Sequence, residues 1–325
     1  MKTKYNHLDR QSVSQSLNKI GLIKSYIWRK GINFVLNHRL RKNKKKKYYI
    51  IKAIPKTGFF SNYFYAIGHM ILATQKGYKV TVDWENYKTP YNEEYPINNT
   101  LNCWEYFFEQ PNNMKTVYES CKNPYISEDK YPYKVVPYYG MANIWKEGVP
   151  KKKQIIKINQ FIKQYCPFKT EIKDDFDKIA KGLQLDNALG VHMRGTDMNA
   201  TVGHNKPASI EENIVKIRET LEKNNLERIF LCTDEEAIKE RMVEIFGDKV
   251  CFVDAYRSQG GQVGIHLQAE MANKRENHRY QLGYEVLRDA YLLSSCRAIV
   301  CGKSNVAYAA IVMNNNSFAD ITYTN

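Results

Sequence analysis

The stretch Leu189–Asn199, LGVHMRGTDMN, decides how the rest of the chain is read. Its opening apolar run, without polar alternation, fits a strand covered on both faces, as in parallel sheets flanked by helices. The run ends in three strongly polar residues, His192, Arg194 and Asp197, in the order H-x-R-x-x-D. Open parallel sheets bind ligands beyond the carboxyl ends of their strands. Polar groups at that end are therefore expected to face a ligand.

The same arrangement recurs downstream. RIFLCTD reads as a strand ending on Asp234, KVCFVD as one ending on Asp254, and AIVCG as one followed by Lys303, Ser304 and Asn305. Helical periods lie between them: SIEENIVKIRETLEK, with Ser209 and Glu212 in capping-box positions, then EEAIKERMVEIFG, YQLGYEVLRDAYLLSSC and SNVAYAAIVMN. FADIT supplies a last strand. Upstream, YYIIKAI reads as a strand, PKTGFFSN as a turn, YFYAIGHMILATQKG as a helix ending at Gly77, and KVTVDW as a second strand. Residues 86–165 are tyrosine-rich and irregular, with WEYFFEQP a short helix stopped by Pro111. Repeated strand–helix units predict an α/β fold with mostly parallel sheets, as two Rossmann-like domains facing a cleft. The pattern divides the chain into an arm over 1–47, an N-terminal α/β domain over 48–165 and a C-terminal domain over 166–325.

Charge separates the arm from the body. The formal charge is +15, and residues 1–56 hold 16 Lys and Arg against one acid, Asp9, so the remainder is balanced. In the arm, Ile20, Ile23, Ile27 and Leu36 stand at near-helical spacing among lysines and arginines, and RKNKKKK follows at 41–47. A basic amphipathic helix beside a lysine run suits an anionic membrane surface, each cation contributing about 1 kcal/mol; a solvated helix with a charged linker is the plainer alternative. Nothing in the arm resembles a groove-reading module, which argues against nucleic acid. Seven cysteines without C-x-x-C or zinc spacing, several in apolar runs such as Cys232 and Cys251, suggest buried thiols in a reducing compartment. With no secretory h-region and no long apolar run, the expectation is a cytoplasmic protein, held at the inner face of a membrane by its arm.

The polar groups at the strand ends suit one task. A guanidinium donates paired hydrogen bonds to a phosphate and stays charged when partly buried. GKSNVA adds a helix start after glycine, where backbone N–H groups and the Ser304 hydroxyl can hold phosphate oxygens. Each also has a bland reading: Arg194 and Asp197 as an internal ion pair, Ser304 as an ordinary N-cap, Asp234 as a cap.

H-x-R-x-x-D after a strand, FLCTD, CFVD and LRDAYLLSSCRAIVCGKSNVAYA resemble, in order and spacing over residues 186–315, the GDP-fucose fucosyltransferases, in particular α1,6-fucosyltransferases and bacterial nodulation fucosyltransferases. TGFFSN resembles the glycine-bearing loop that faces the nucleotide sugar in related O-fucosyltransferases, which adds Gly58, Ser61 and Asn62 to the donor-binding candidates. The resemblance implies a GT-B fold and metal-independent, inverting transfer of L-fucose from GDP-fucose to a glycan, with no other cofactor. By position, Arg194 would bind the diphosphate, His192 and Asp289 the nucleoside side, Ser304 and Asn305 a phosphate, and Asp254 would order the site; Asp197 completes the motif. Two positions depart from the α1,6 enzymes: Gly195 stands where they carry a second arginine, and Val202 where they carry a glutamate base. His204 is the substitute base favoured here, with Glu85 and Asp83 as others. Another nucleotide sugar is the nearest alternative donor. PKTGFFS also resembles the PAPS-binding loop of sulfotransferases, with Phe59 and Phe60 at the small and hydroxyl positions. A non-catalytic membrane-surface protein is the remaining alternative. DDFD at 174–177 contains D-x-D, but its setting reads as the charged face of a helix.

Overall fold

Two parallel sheets carry the chain. The computed structural model describes residues 48–121, 124–127, 150–195, 208–259, 265 and 275–324; the basic arm, Asp197 and His204 lie outside them. In the first half, β1 (Tyr48–Lys52) leads into helix α1 (Phe59–Thr74), β2 (Lys79–Asp83), a 3-10 turn (Cys103–Tyr106), helix α2 (Met114–Ser120) and β3 (Tyr125–Ile126). Helices α3 (Lys152–Tyr165) and α4 (Thr170–Gly182) follow. The second half runs β4 (Ala188–Met193), α5 (Ile210–Asn224), β5 (Arg228–Thr233), α6 (Glu236–Phe246), β6 (Val250–Cys251), α7 (His278–Ser294), β7 (Ala298–Cys301), α8 (Asn305–Met313) and β8 (Ile321–Tyr323).

The sheets are ordered β2-β1-β3 and β6-β5-β4-β7-β8, with every pairing parallel. The α/β architecture expected from the strand–helix alternation is therefore present in both halves. In the second sheet the chain steps outward from β4 to β6, then crosses back to β7 and β8. That reversal, between β4 and β7, is where a doubly wound sheet opens its ligand crevice.

Alternation along β4 assigns its faces. Leu189, Val191 and Met193 pack with Ile217 of α5 and Ile238 and Met242 of α6. The opposite face puts Ala188 into the main core and sends His192 toward the start of α8. The main core runs through both halves, because α1 is buried nearly all round. Such a helix needs partners on every side. It packs on β1 and β2 and also meets α7 and α8, with Phe64 and Tyr308 ring centroids 4.7 Å apart.

The tyrosine-rich segment that reads as irregular turns out to build this core. Trp84 and Trp104 are fully buried and meet edge to face at 5.2 Å, and Tyr63 stacks on Trp104 at 5.9 Å. Such pairs contribute about 0.5–1.5 kcal/mol each beyond their buried area. Helix α3 crosses to the second half: Asn159 donates from Nδ2 to the carbonyls of Val312 and Met313 at 2.8 and 3.3 Å, satisfying the end of α8. Helix α4 docks on α7 through Asp175, which accepts from the Tyr284 hydroxyl, and Asp177, which accepts from Tyr291 at 2.5 Å. The two end carboxylates of the DDFD motif's D-x-D are thus engaged in helix packing.

Three boundaries differ from the sequence pattern. Helix α1 begins at Phe59, inside the expected turn, because Phe59 and Phe60 belong to the core. Strand β6 stops at Cys251 because the carbonyls of Val253 and Asp254 are taken by arginine side chains, and its edge position leaves Cys251 only half-buried. The last strand is Ile321–Tyr323. Among the described residues no helix is long and apolar enough to cross a membrane.

Candidate functional site

At the crevice between β4 and β7, His192, Arg194, Lys303 and Ser304 line one pocket together with Asn213 and Thr324. Each arrives by a short path from a strand end. His192 is the penultimate residue of β4 and Arg194 follows the strand; Ser304 caps α8, with extended backbone at φ −129°. The capping hydroxyl accepts from the Ala307 N–H at 3.0 Å and lies 3.4 Å from His192 Nδ1. The hydroxyl thus sits between the Ala307 N–H and the His192 ring. Burial, reinforced by the Arg194 charge, lowers His192 to about 3, so the ring is the neutral imidazole near pH 7.

The Ser304 hydroxyl is thus engaged within the protein, as the plain N-cap reading requires. What the helix start offers an anion is its backbone: among the described residues the N–H groups of Asn305 and Val306 have no partner in the first turn of α8, which carries no acid.

Arg194 is held from the neighbouring strand. Asp234, just past β5, accepts the Gly195 N–H at 3.0 Å through one carboxylate oxygen and places the other 3.8 Å from Arg194 Nε. Asp234 therefore clips the loop after β4 and does not cap α6; Glu235 takes that position without a side-chain cap bond. A Cβ on residue 195 would overlap the Glu235 carboxyl, so the glycine permits this close approach. The space where the resemblance implies a second arginine is occupied by a carboxylate. Burial and then Asp234 push the Glu235 carboxyl above its ordinary range.

The first half meets the start of α8. Asn305 donates from Nδ2 to the Ser61 hydroxyl at 2.9 Å. Ser61 lies in the first turn of α1, and its N–H and that of Asn62 bond the Gly58 carbonyl at 3.1 and 3.2 Å. The N-termini of α1 and α8, neither with an acid in its first turn, are thereby brought together. Two such ends favour negative charge between them. Gly58 has φ −63°, a conformation open to any residue. Asn62 is fully buried and spends its amide on the loop: Oδ1 accepts from the Ile54 N–H at 2.7 Å, and Nδ2 donates to the carbonyls of Ile54 and Thr57 at 3.2 and 3.4 Å. It shapes the 54–58 loop, and a ligand contact would have to displace those bonds.

The other candidates are spread around this centre. Asp254 is exposed beyond the edge strand. Asp289, on α7, has a buried Oδ1 without a hydrogen-bond partner and is pushed up to about 6 by burial, against the opposing pull of Arg288 and Arg257. Neither arginine stands out in the sequence; the available signal is the charged pair Arg288 and Asp289 within the otherwise largely apolar run VLRDAYLL. Of the alternative bases, Asp83 is fully buried and accepts from the backbone of Glu85 and Asn86, from the Asn86 amide and from the Tyr118 hydroxyl. Glu85 is half-buried, its carboxyl raised by burial and by Asp83 and Glu105. Among the described residues no group of three or more His, Cys, Asp or Glu is placed to hold a metal ion.

No family model matches the sequence, and no curated protein matches it. Among solved structures, the chain is similar to NodZ alpha-1,6-fucosyltransferase soaked with GDP-fucose, at 16% identity over 82% of this chain and 93% of that one, with a TM-score of 0.48. A structure of fucosyltransferase NodZ from Bradyrhizobium gives 16% identity over 82% and 92%, with a TM-score of 0.48. POFUT1 in complex with GDP gives 9% identity over 86% and 98%, with a TM-score of 0.47.

Proposed function

We propose that this chain is an inverting, metal-independent glycosyltransferase that moves L-fucose from GDP-fucose to a glycan hydroxyl. The observation that carries this reading is the shared pocket of Arg194, Lys303 and the Ser304 cap of α8 at the switch point of a doubly wound sheet, with the start of α1 bonded to that of α8 through Ser61 and Asn305. The order of motifs over residues 186–315 supports the choice of donor.

In the reaction, the acceptor oxygen attacks C1 of the sugar from the face away from the diphosphate. The C1–O bond to the β-phosphate breaks, GDP leaves with the electron pair, and the hydroxyl proton passes to a base. Negative charge grows on the diphosphate as C1 becomes cationic, so a fixed guanidinium, an ammonium and oriented N–H groups stabilise the transition state more than the ground state. Neutral His192 and Asp289 take the nucleoside side, and Asp254 orders the site. His204 is the proposed base, with Asp197 as a further catalytic residue; Glu85, whose raised basicity suits proton transfer, is the alternative on the first half.

A panel of nucleotide sugars tests the donor. GDP-fucose at about 100 times its Kd stabilises a single-site binder by about 2.7 kcal/mol, a readable rise in Tm, and GDP release should require the acceptor or water. Stabilisation by a different nucleotide sugar alone would replace the donor while keeping the reaction class. PAPS is expected to leave Tm unchanged: Phe59 and Phe60, at the positions where a sulfotransferase loop offers small and hydroxyl groups, are 1% and 2% exposed and belong to the core.

We further propose that residues 1–47 hold the enzyme on an anionic membrane surface at the cytoplasmic face, on the strength of their charge and amphipathic spacing. The full chain should sediment with phosphatidylserine-containing vesicles, and a chain lacking residues 1–47 should stay in the supernatant. Equal sedimentation of both would remove the arm from this role.

A further inference from the structure

Beyond Cys251 the edge strand gives way to a loop whose backbone is held by side chains. Arg288 of α7 donates from Nη2 to the Asp254 carbonyl at 2.6 Å, and Glu285, one turn earlier on the same helix, accepts the Tyr256 N–H at 3.1 Å. Arg257 adds a bond from Nη2 to the Val253 carbonyl at 2.8 Å. Glu285 is itself fixed by Arg275 at 2.5 Å. Around this clamp lie four buried polar atoms without a hydrogen-bond partner: Nε of Arg257, Nε of Arg288, Nε2 of His278 and Oδ1 of Asp289. Folded proteins leave few such atoms, and a group of them in one place calls for a reason.

Building on the donor reading above, we propose that Arg288 is a positioning residue for the nucleoside: it ties the Asp254 loop to α7 and, with its Nη2 3.8 Å from Asp289 Oδ1, keeps that carboxylate as an acceptor for the base. Charge balance makes the assignment testable. The groups acting on the Asp289 carboxyl are Arg288 and Glu285 from its own helix and Arg257 from the loop, and Cys232 of β5 faces it. Burial raises Asp289 to about 6, while the two arginines oppose the rise. Above that pH the carboxylate is ionised and accepts; below it the acid is protonated and the interaction is lost. Without the Arg288 charge the anion is less favoured, so the transition moves upward.

GDP binding measured calorimetrically between roughly pH 5 and 8 reads this directly. In the native chain, affinity should fall as pH drops through about 6. Arg288→Met is expected to move that midpoint up by about one pH unit, which weakens GDP binding about tenfold at roughly pH 5 and about twofold at roughly pH 7. Arg288→Gln, which keeps a donor for the Asp254 carbonyl but no charge, should show the same displacement and covers the case in which the Met variant does not fold. Arg288→Lys should return the midpoint close to the native one. Midpoints in the Gln and Lys variants equal to the native value would make Arg288 a packing residue and overturn the inference while leaving the donor reading intact. Failure of the native chain to bind GDP at any pH would overturn the donor reading, and the inference with it.

Discussion

Arg194→Ala is expected to leave a folded protein whose turnover is lower by about 100- to 1,000-fold, the loss typical of removing one fixed donor to developing negative charge. The side chain is 27% exposed, and its ion-pair contact with Asp234, at 3.8 Å, is long. Its removal therefore opens no core cavity, and Asp234 keeps its bond to the Gly195 N–H. The thermal midpoint should move by no more than about 2–4 °C. The loss should fall on kcat more than on KM, because charge on the departing diphosphate peaks in the transition state. Arg194→Lys separates charge from shape: it keeps a cation but not the planar fork, and should recover only part of the rate. Native turnover in the alanine variant would remove the guanidinium from the chemistry, and a non-catalytic role for the chain would then be the better reading.

The placement of Arg194 was legible because it depends on local sequence. An unbroken apolar run sets β4, and the residue beyond a buried parallel strand has one place to go, the crevice. Ser304 and the Ser209–Glu212 capping box were legible for the same reason, since a cap is a contact within four residues; both form as the spacing predicts. The partners that tune the site were not. Gly195 and Glu235 touch across 40 positions, and Arg288 reaches the Asp254 carbonyl across 34. Such pairs depend on which strands become neighbours and on how an edge strand ends. Periodicity carries neither piece of information. Strand β6 illustrates the point: VCFVD has the composition of a full strand, yet arginine side chains satisfy its carbonyls from Val253 onward, and the ladder stops. The irregular, tyrosine-rich region was opaque for a related reason. Its rings are buried by contacts between turns, such as Trp84 on Trp104, which follow no fixed spacing.

The second large effect is expected at Asn62, where two roles predict different outcomes. As a donor-binding residue, Asn62→Ala would weaken nucleotide binding and leave stability unchanged. The geometry points instead to a lost scaffold. The side chain is fully buried and makes three bonds to the backbone of Ile54 and Thr57, which close the loop ahead of α1. Truncation takes the side-chain partner from the Ile54 N–H and the Thr57 carbonyl, the Ile54 carbonyl keeping the Thr57 hydroxyl, and leaves a small void beneath them, at a cost of about 2–4 kcal/mol. The urea midpoint should fall accordingly, with little change in its slope. Activity should fall as well, because the loop sets the start of α1 and with it the Ser61 hydroxyl that meets Asn305 across the cleft. Ser61→Ala provides the contrast. It removes one of several hydrogen bonds between the halves and leaves the loop's bonds untouched, so its stability should stay within about 1 kcal/mol of native. If Asn62→Ala proves as stable as the native chain while GDP binding collapses, the loop does not depend on this amide, and the residue belongs among those that touch the donor.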